Sequence, residues 1–156
     1  MTRQEDFDDG YRMAHRPGDD GPGLHNAEEV YPDIHEHPEY YSAGHGMRQL
    51  AKKPTPEGRF AVRQIRADNE ALNVMKTARG NPEAMVTMHR AVPHGVAHIH
   101  PGDWVSTSHE YARMHVESSL EGHGKVISAR VPAKHLHATG DGIHEFGYGG
   151  PRVAAR

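Results

Sequence analysis

Met85-Val-Thr-Met-His-Arg-Ala-Val92 is the stretch that decides the fold class. It alternates, so Val86, Met88, Arg90 and Val92 share one face of a strand and the residues between them take the other. Upstream the period is helical. Ala61, Ile65, Leu72 and Met75 recur at a spacing that makes one buried stripe and predicts a helix from Pro56 to Ala78. Thr55 stands at its N-cap, Pro56 at the first helical position, and Glu57 at the positive end of the dipole. Asp68 interrupts the stripe. Arg79-Gly80-Asn81-Pro82 is a stop signal. A long helix that gives way to a strand through a tight turn predicts an α+β chain.

Downstream, Pro93-His94-Gly95 ends the strand and Pro101-Gly102-Asp103 forms a turn. Trp104-Val-Ser-Thr-Ser108 is a second short strand. Thr107 and Glu110 have capping-box spacing, which predicts a helix running to about Ser118 with Thr107 as its cap. Leu120 to Gly124 is a loop, and Lys125 to Val131 a third strand with Ile127, Ala129 and Val131 on one side. Gly140-Asp-Gly142 turns the chain into a last strand, Ile143 to Tyr148, with Glu145 on the face of Ile143. At the other end, residues 1 to about 30 read as loop. Asp8-Asp9-Gly10 and Arg16-Pro-Gly-Asp-Asp-Gly-Pro-Gly23 are turn-formers without apolar periodicity. Val30 to Ile34 is a short apolar patch, and His37-Pro-Glu-Tyr-Tyr41 suits one helical turn. Tyr31, Tyr40 and Tyr41 are the expected anchors of this arm. The organisation is a loop-rich arm over 1–50 and a folded domain over 51–156.

Composition sets limits on function. Only 35% of residues are hydrophobic, against 17 Gly and 11 Pro, so the whole chain is not expected to pack into one dense globule. The net charge of −3 gives no electrostatic footprint for nucleic acid. The absence of cysteine excludes disulfides, thiolate nucleophiles and Cys-ligated zinc. No apolar run is long enough to span a bilayer, and Met1-Thr-Arg-Gln-Glu-Asp6 has no signal core. A cytoplasmic monomer without membrane partners is the default expectation. The 15 histidines include the pairs His35/His37, His98/His100 and His135/His137. On a strand such a pair faces one side and supplies two positions of a zinc site. A closed site needs two more ligands, and no H-E-x-x-H spacing is present. Solvated surface histidines are the expectation, and no metal ligand is assigned.

Arg90 is the odd residue of the deciding strand. A guanidinium on an apolar face needs a partner or an anionic ligand, because a lone buried charge is very costly. Its planar fork suits phosphate or carboxylate. A structural ion pair with Glu145 or another carboxylate is one outcome and an anion site is the other. Ser106-Thr107-Ser108 ends a strand and opens a helix, which a simple cap explains. Glu145 alone is an ordinary strand carboxylate.

The order of these three features resembles the Arg/Ser-Thr-Ser/Glu clade of ADP-ribosyltransferases. The stretches are His89-Arg90-Ala-Val, Trp104-Val-Ser-Thr-Ser108 and Gly142-Ile-His-Glu145. The wider string Val86-Thr-Met-His-Arg-Ala-Val-Pro93, Pro101-Gly-Asp-Trp-Val105 and Glu110-Tyr-Ala112 is similar to small ADP-ribosyltransferase-like proteins of actinobacteria and their phages. The resemblance covers about residues 85 to 148. It implies a small split antiparallel β-sandwich with flanking helices, and an NAD-dependent mono-ADP-ribosyltransferase or NAD glycohydrolase. By that resemblance Arg90 holds the NAD pyrophosphate or the nicotinamide-side ribose. Ser106 bonds within the NAD site and helps position the glutamate, and Thr107 and Ser108 shape the nicotinamide pocket. Glu145 accepts from the ribose 2′-OH. Trp104 or Tyr111 is available to stack on a flat ring. Arginine-modifying members carry Gln or Glu two residues before the catalytic glutamate, where this chain has Ile143. An apolar side chain cannot orient a guanidinium, so the acceptor is expected to be another side chain, a nucleic acid or a small molecule. Two readings compete with the enzyme: a phage- or host-directed interaction module on the same fold, in which Arg90 and Glu145 simply pair, and a His-rich metal-binding protein.

Overall fold

The computed structural model describes residues 21–156. Two 3-10 turns (Leu24–Glu29 and Pro38–Tyr41) and helix α1 (His45–Leu50) precede helix α2 (Pro56–Ala78). Then come β1 (Met85–Val92), β2 (His98–Ile99), β3 (Trp104–Val105), helix α3 (His109–Ser119) and β4 (Lys125–Pro132). A 3-10 turn (Ala133–His135) leads to β5 (Leu136–Ala138), β6 (Phe146–Tyr148) and β7 (Val153–Ala154). Among the described residues all strand pairs are antiparallel, in three small sheets: β1 with β4, β2 with β7, and β3-β6-β5. The fold is α+β, with helices flanking antiparallel sheets. Among the described residues no helix is long and apolar enough to cross a membrane.

Helix α2 forms where its punctuation predicts. Thr55 Oγ1 accepts from Gly58 N–H at 3.1 Å, and Gly80, at φ 72°, turns the chain out of the helix at no side-chain cost. Its small and apolar residues Ala61, Ala67, Ala71, Met75 and Ala78 are buried, with Ile65 and Leu72 half-buried beside them. Asp68 is buried in this stripe too.

Alternation in β1 is realised in full. Val86, Met88, Arg90 and Val92 are buried, and β4 sets Ile127 opposite Arg90 and Val131 opposite Val86. Beyond the pair, His89 N–H donates to Ser106 O at 2.7 Å and Ser106 N–H to His89 O at 2.8 Å. This bridge stitches β1 to the end of β3, and so brings Arg90 close to Trp104 and Ser106.

Two stretches depart from expectation. Leu24–Glu29, read as loop, is a 3-10 turn, because Leu24 and Ala27, three apart, both bury into the core. Residues 1–20 of that expected loop lie outside the described residues. Leu24, Ala27, Tyr31 and Ile34 belong to the same apolar cluster as Met75, Met88, Ile127 and Phe146, so the stretch preceding residue 51 contributes to the core itself. Tyr31 is an anchor, donating to Gly142 O at 2.7 Å, and Tyr41 packs edge-on against it. Tyr40 is not an anchor: it is 66% exposed and stacks on His37. The second change is at the last strand, which begins only at Phe146. Ile143 and His144 prolong the Gly140–Gly142 turn, closed by Glu145 N–H to Gly142 O at 3.3 Å. Ile143 consequently turns into the core while Glu145 stays half-buried, and the two do not share a face.

Candidate functional site

Where β1, β3 and α3 meet the turn before β6, they enclose a cleft of about 390 Å³. Arg90, Trp104, Ser106, Tyr111 and Glu145 all line it. Five of the seven residues singled out in the sequence therefore come together, although Arg90 and Glu145 stand at opposite ends of the folded stretch. Its size and largely apolar walls, with a few convergent polar groups, suit a small-molecule site.

Arg90 reaches the cleft from the buried face of β1, its side chain only 2% exposed. Nη1 donates to Trp104 O at 2.8 Å, and Nε lies 3.6 Å from Asp103 Oδ2. Of the carboxylates expected to pair with Arg90, Glu145 or another, the partner is another, Asp103. The Pro101–Asp103 turn swings that carboxylate under Arg90, and the same Oδ2 accepts His100 N–H at 2.9 Å.

Glu145 takes a different partner. Tyr111, on the first turns of α3, donates its hydroxyl to Glu145 Oε1 at 2.6 Å. Burial pushes the Tyr111 phenol well above its ordinary range, and the adjacent Glu145 carboxylate pushes the same way. Tyr111 is a neutral donor at any physiological pH. Among the described residues no hydrogen bond joins Ser106 to Glu145; its Oγ accepts from Ser108 N–H at 3.0 Å.

Thr107 and Ser108 do not line the cleft, and the capping box is not formed. Ser108 is the N-cap of α3: its Oγ accepts from Tyr111 N–H at 3.0 Å and donates to Glu70 Oε1 at 2.7 Å. Glu70, from α2, also accepts Glu110 N–H at 3.1 Å, so a carboxylate from another helix serves this N-terminus. Glu110 turns instead to Arg63, at 2.6 Å, and to Arg113. Thr107 Oγ1 is buried without a hydrogen-bond partner among the described residues.

Sequence reasoning missed His89, His115 and Asp141, which also line the cleft. His115 was within reach of the sequence, four residues beyond Tyr111 on one helix face. His89, on the face opposite Arg90, was not, because it joins the cleft only through the β1–β3 bridge. Burial, reinforced by nearby His109 and opposed by Glu70, pushes the His89 imidazole down to about 4. It is neutral at pH 7, with Nδ1 2.6 Å from Ser128 Oγ.

The H-x-H pairs are spent elsewhere. His98 contacts Arg152, His100 lies near Asp103, and His137 Nδ1 bonds to Gly21 O. Among the described residues no group of three or more His, Asp or Glu side chains is arranged to hold a metal ion. No protein-family model, curated protein or solved structure matches this chain.

Proposed function

We propose that the cleft binds NAD and cleaves its nicotinamide–ribose bond, making the chain an ADP-ribosyltransferase or NAD glycohydrolase on a small split β-sandwich. One observation carries this reading: Arg90, Ser106 and Glu145, the three residues of the ordered motif, share a single cleft with the rings of Trp104 and Tyr111. In this reading the C1′–N1 bond breaks and its electron pair leaves with nicotinamide. The ribosyl group develops oxocarbenium character, and the Glu145 carboxylate stabilises that charge and holds the 2′-OH. Arg90 faces the anionic pyrophosphate and keeps the dinucleotide in place. The acceptor's nucleophilic atom, or a water oxygen, bonds to C1′ and releases its proton. Ile143 is 3% exposed and belongs to the core, so no side chain two residues before Glu145 faces an incoming guanidinium. That supports a non-arginine acceptor: another side chain, a nucleic acid or a small molecule. A cytoplasmic site of action, in a host cell if the chain is phage-encoded, accords with dependence on NAD.

The test is nicotinamide release from NAD, with binding followed by calorimetry. Wild-type protein should release nicotinamide. Glu145→Ala should bind NAD but turn over at least about 100-fold more slowly, as expected for loss of a transition-state carboxylate. Absence of both binding and release in the wild type would sink the enzyme.

A second reading has its own observation. Arg90 is engaged by Asp103 and by the Trp104 carbonyl, which a purely structural arginine would also be. An interaction module on this fold would keep Arg90 for the core and bind no NAD.

A further inference from the structure

Asp68 is the residue whose position nothing so far explains. It sits on the buried stripe of α2, 4% exposed, where an apolar side chain would be expected. Every polar atom it carries is used. Oδ1 lies 2.7 Å from His144 Nε2 and also accepts from Gln64 at 3.3 Å, while Oδ2 accepts Ala43 N–H at 2.8 Å. Burial raises the Asp68 carboxyl, but the bonds from His144 and Ala43 outweigh it and hold the group below the ordinary carboxylate range. An ionised carboxylate only accepts, so His144 Nε2 carries the shared proton. The His144 ring then lies flat on the Tyr111 ring, centroids 4.7 Å apart and planes within 8°. Tyr111 in turn donates to Glu145. His144 is also the neighbour of Glu145 in the chain, so the same turn is gripped from both sides.

We propose that Asp68, His144 and Tyr111 form a relay that orients the Glu145 carboxylate in the cleft, with Tyr111 supplying the positioning hydroxyl that the motif alone would give to Ser106. Its catalytic consequence rests on the NAD-cleaving reading, but the relay itself does not. The physical logic is preorganisation. Glu145 lies outside regular structure, in a turn whose backbone ladder begins only at Phe146, so its direction must come from side chains. A tyrosine pinned by stacking contributes a directed donor, and a histidine pinned by a buried carboxylate keeps the tyrosine from rotating away. A structural ion pair between Asp68 and His144 would need neither the parallel stack nor the short Tyr111–Glu145 bond.

The experiment has two arms. In the free protein, proton NMR should show slowly exchanging signals for the His144 Nε2–H and the Tyr111 hydroxyl. Asp68→Asn should abolish the first and broaden the second, and Glu145→Ala should abolish the second. A Tyr111 hydroxyl signal indifferent to Asp68→Asn would overturn the relay whether or not the protein cleaves NAD. In the activity arm, Tyr111→Phe keeps the ring and its stack and so is not expected to unfold the protein. It and Asp68→Asn should each lower kcat for nicotinamide release about ten- to a hundredfold with little change in KM, the signature of a misaligned carboxylate. Unchanged kcat in both variants of an active enzyme would overturn the positioning role. A wild type that releases no nicotinamide but shows the coupled NMR signals would remove the NAD reading and leave the relay standing.

Discussion

Burial sets the charge state of the residues around the cleft, and His89 makes the case measurable. Its imidazole is pushed down to about 4 by burial first and by His109 second, against an ordinary value of about 6.5 in the unfolded chain. Between those two values the unfolded state binds a proton that the folded state refuses. Stability therefore falls as pH drops from 6.5 towards 4, by about 2 kcal/mol between pH 7 and pH 5. Asp68 acts in the same direction, but its carboxyl is held below the ordinary carboxylate range, so the window belongs to histidine. Urea unfolding at pH 7 and pH 5 should show this loss in the wild type and most of it removed in His89→Gln. Parallel pH dependence in the two proteins would contradict a buried neutral His89. Arg90 follows the same logic with the opposite outcome. It cannot lose its proton, so it keeps its charge and takes Asp103 and a carbonyl as partners.

At the scale of elements, legibility in the sequence tracked how many residues voted. Helix α2 rests on a stripe, a cap, a proline and a stop signal, and its expected bounds Pro56–Ala78 are the observed ones. Strand β1 rests on eight alternating residues and was equally plain. By contrast β2 and β7 are two residues long, too short to carry a period, and exist only because they pair with each other. The end of β3 was ambiguous because three consecutive hydroxyl residues offer three frames for one cap. Spacing to Glu110 favoured Thr107, but Glu70 from α2 captures Ser108 and Glu110 N–H and shifts the cap by one residue. Of the five cleft residues, Arg90, Ser106 and Glu145 stood out by their order in the chain, and Trp104 and Tyr111 as rings able to stack. The partners of Arg90 and Glu145 were not, since Asp103 and Tyr111 approach through tertiary geometry. The cap makes a sharp prediction. Ser108→Ala should cost about 1–2 kcal/mol, losing the cap and its bond to Glu70. Thr107→Val removes a buried hydroxyl that has no partner among the described residues and should be neutral or stabilising. Thermal and urea denaturation of both variants decide it, and the reverse order would restore the capping box at Thr107.

For the whole molecule, the question is whether residues 51–156 stand alone. Leu24 and Ile34 are fully buried and Tyr31 nearly so, all in the cluster that also holds Met88 and Phe146. Burying side chains of this kind contributes about 1.5–3 kcal/mol each, so the three together supply about 4.5–9 kcal/mol. A domain's entire margin is about 5–15 kcal/mol. The segment also braces the cleft at two points, since Ala43 N–H holds Asp68 and the Tyr31 hydroxyl holds the Gly142 carbonyl three residues before Glu145. A chain restricted to residues 51–156 should therefore lose cooperative unfolding and the near-ultraviolet circular dichroism signal of Trp104, rather than persist as a slightly less stable domain. Ile34→Ala in the full chain is the graded control. It should cost about 2–5 kcal/mol while the chain still folds, because it opens one cavity without removing the other anchors. Tyr31→Phe keeps the ring in the core and removes only the hydroxyl, so its stability cost should be about 1 kcal/mol. A truncated chain that unfolds cooperatively near the wild-type midpoint would mean that the cluster around Met88 and Phe146 closes without Leu24, Tyr31 and Ile34. The cleft would then have to keep its shape without the bond from Tyr31 to the Glu145 turn.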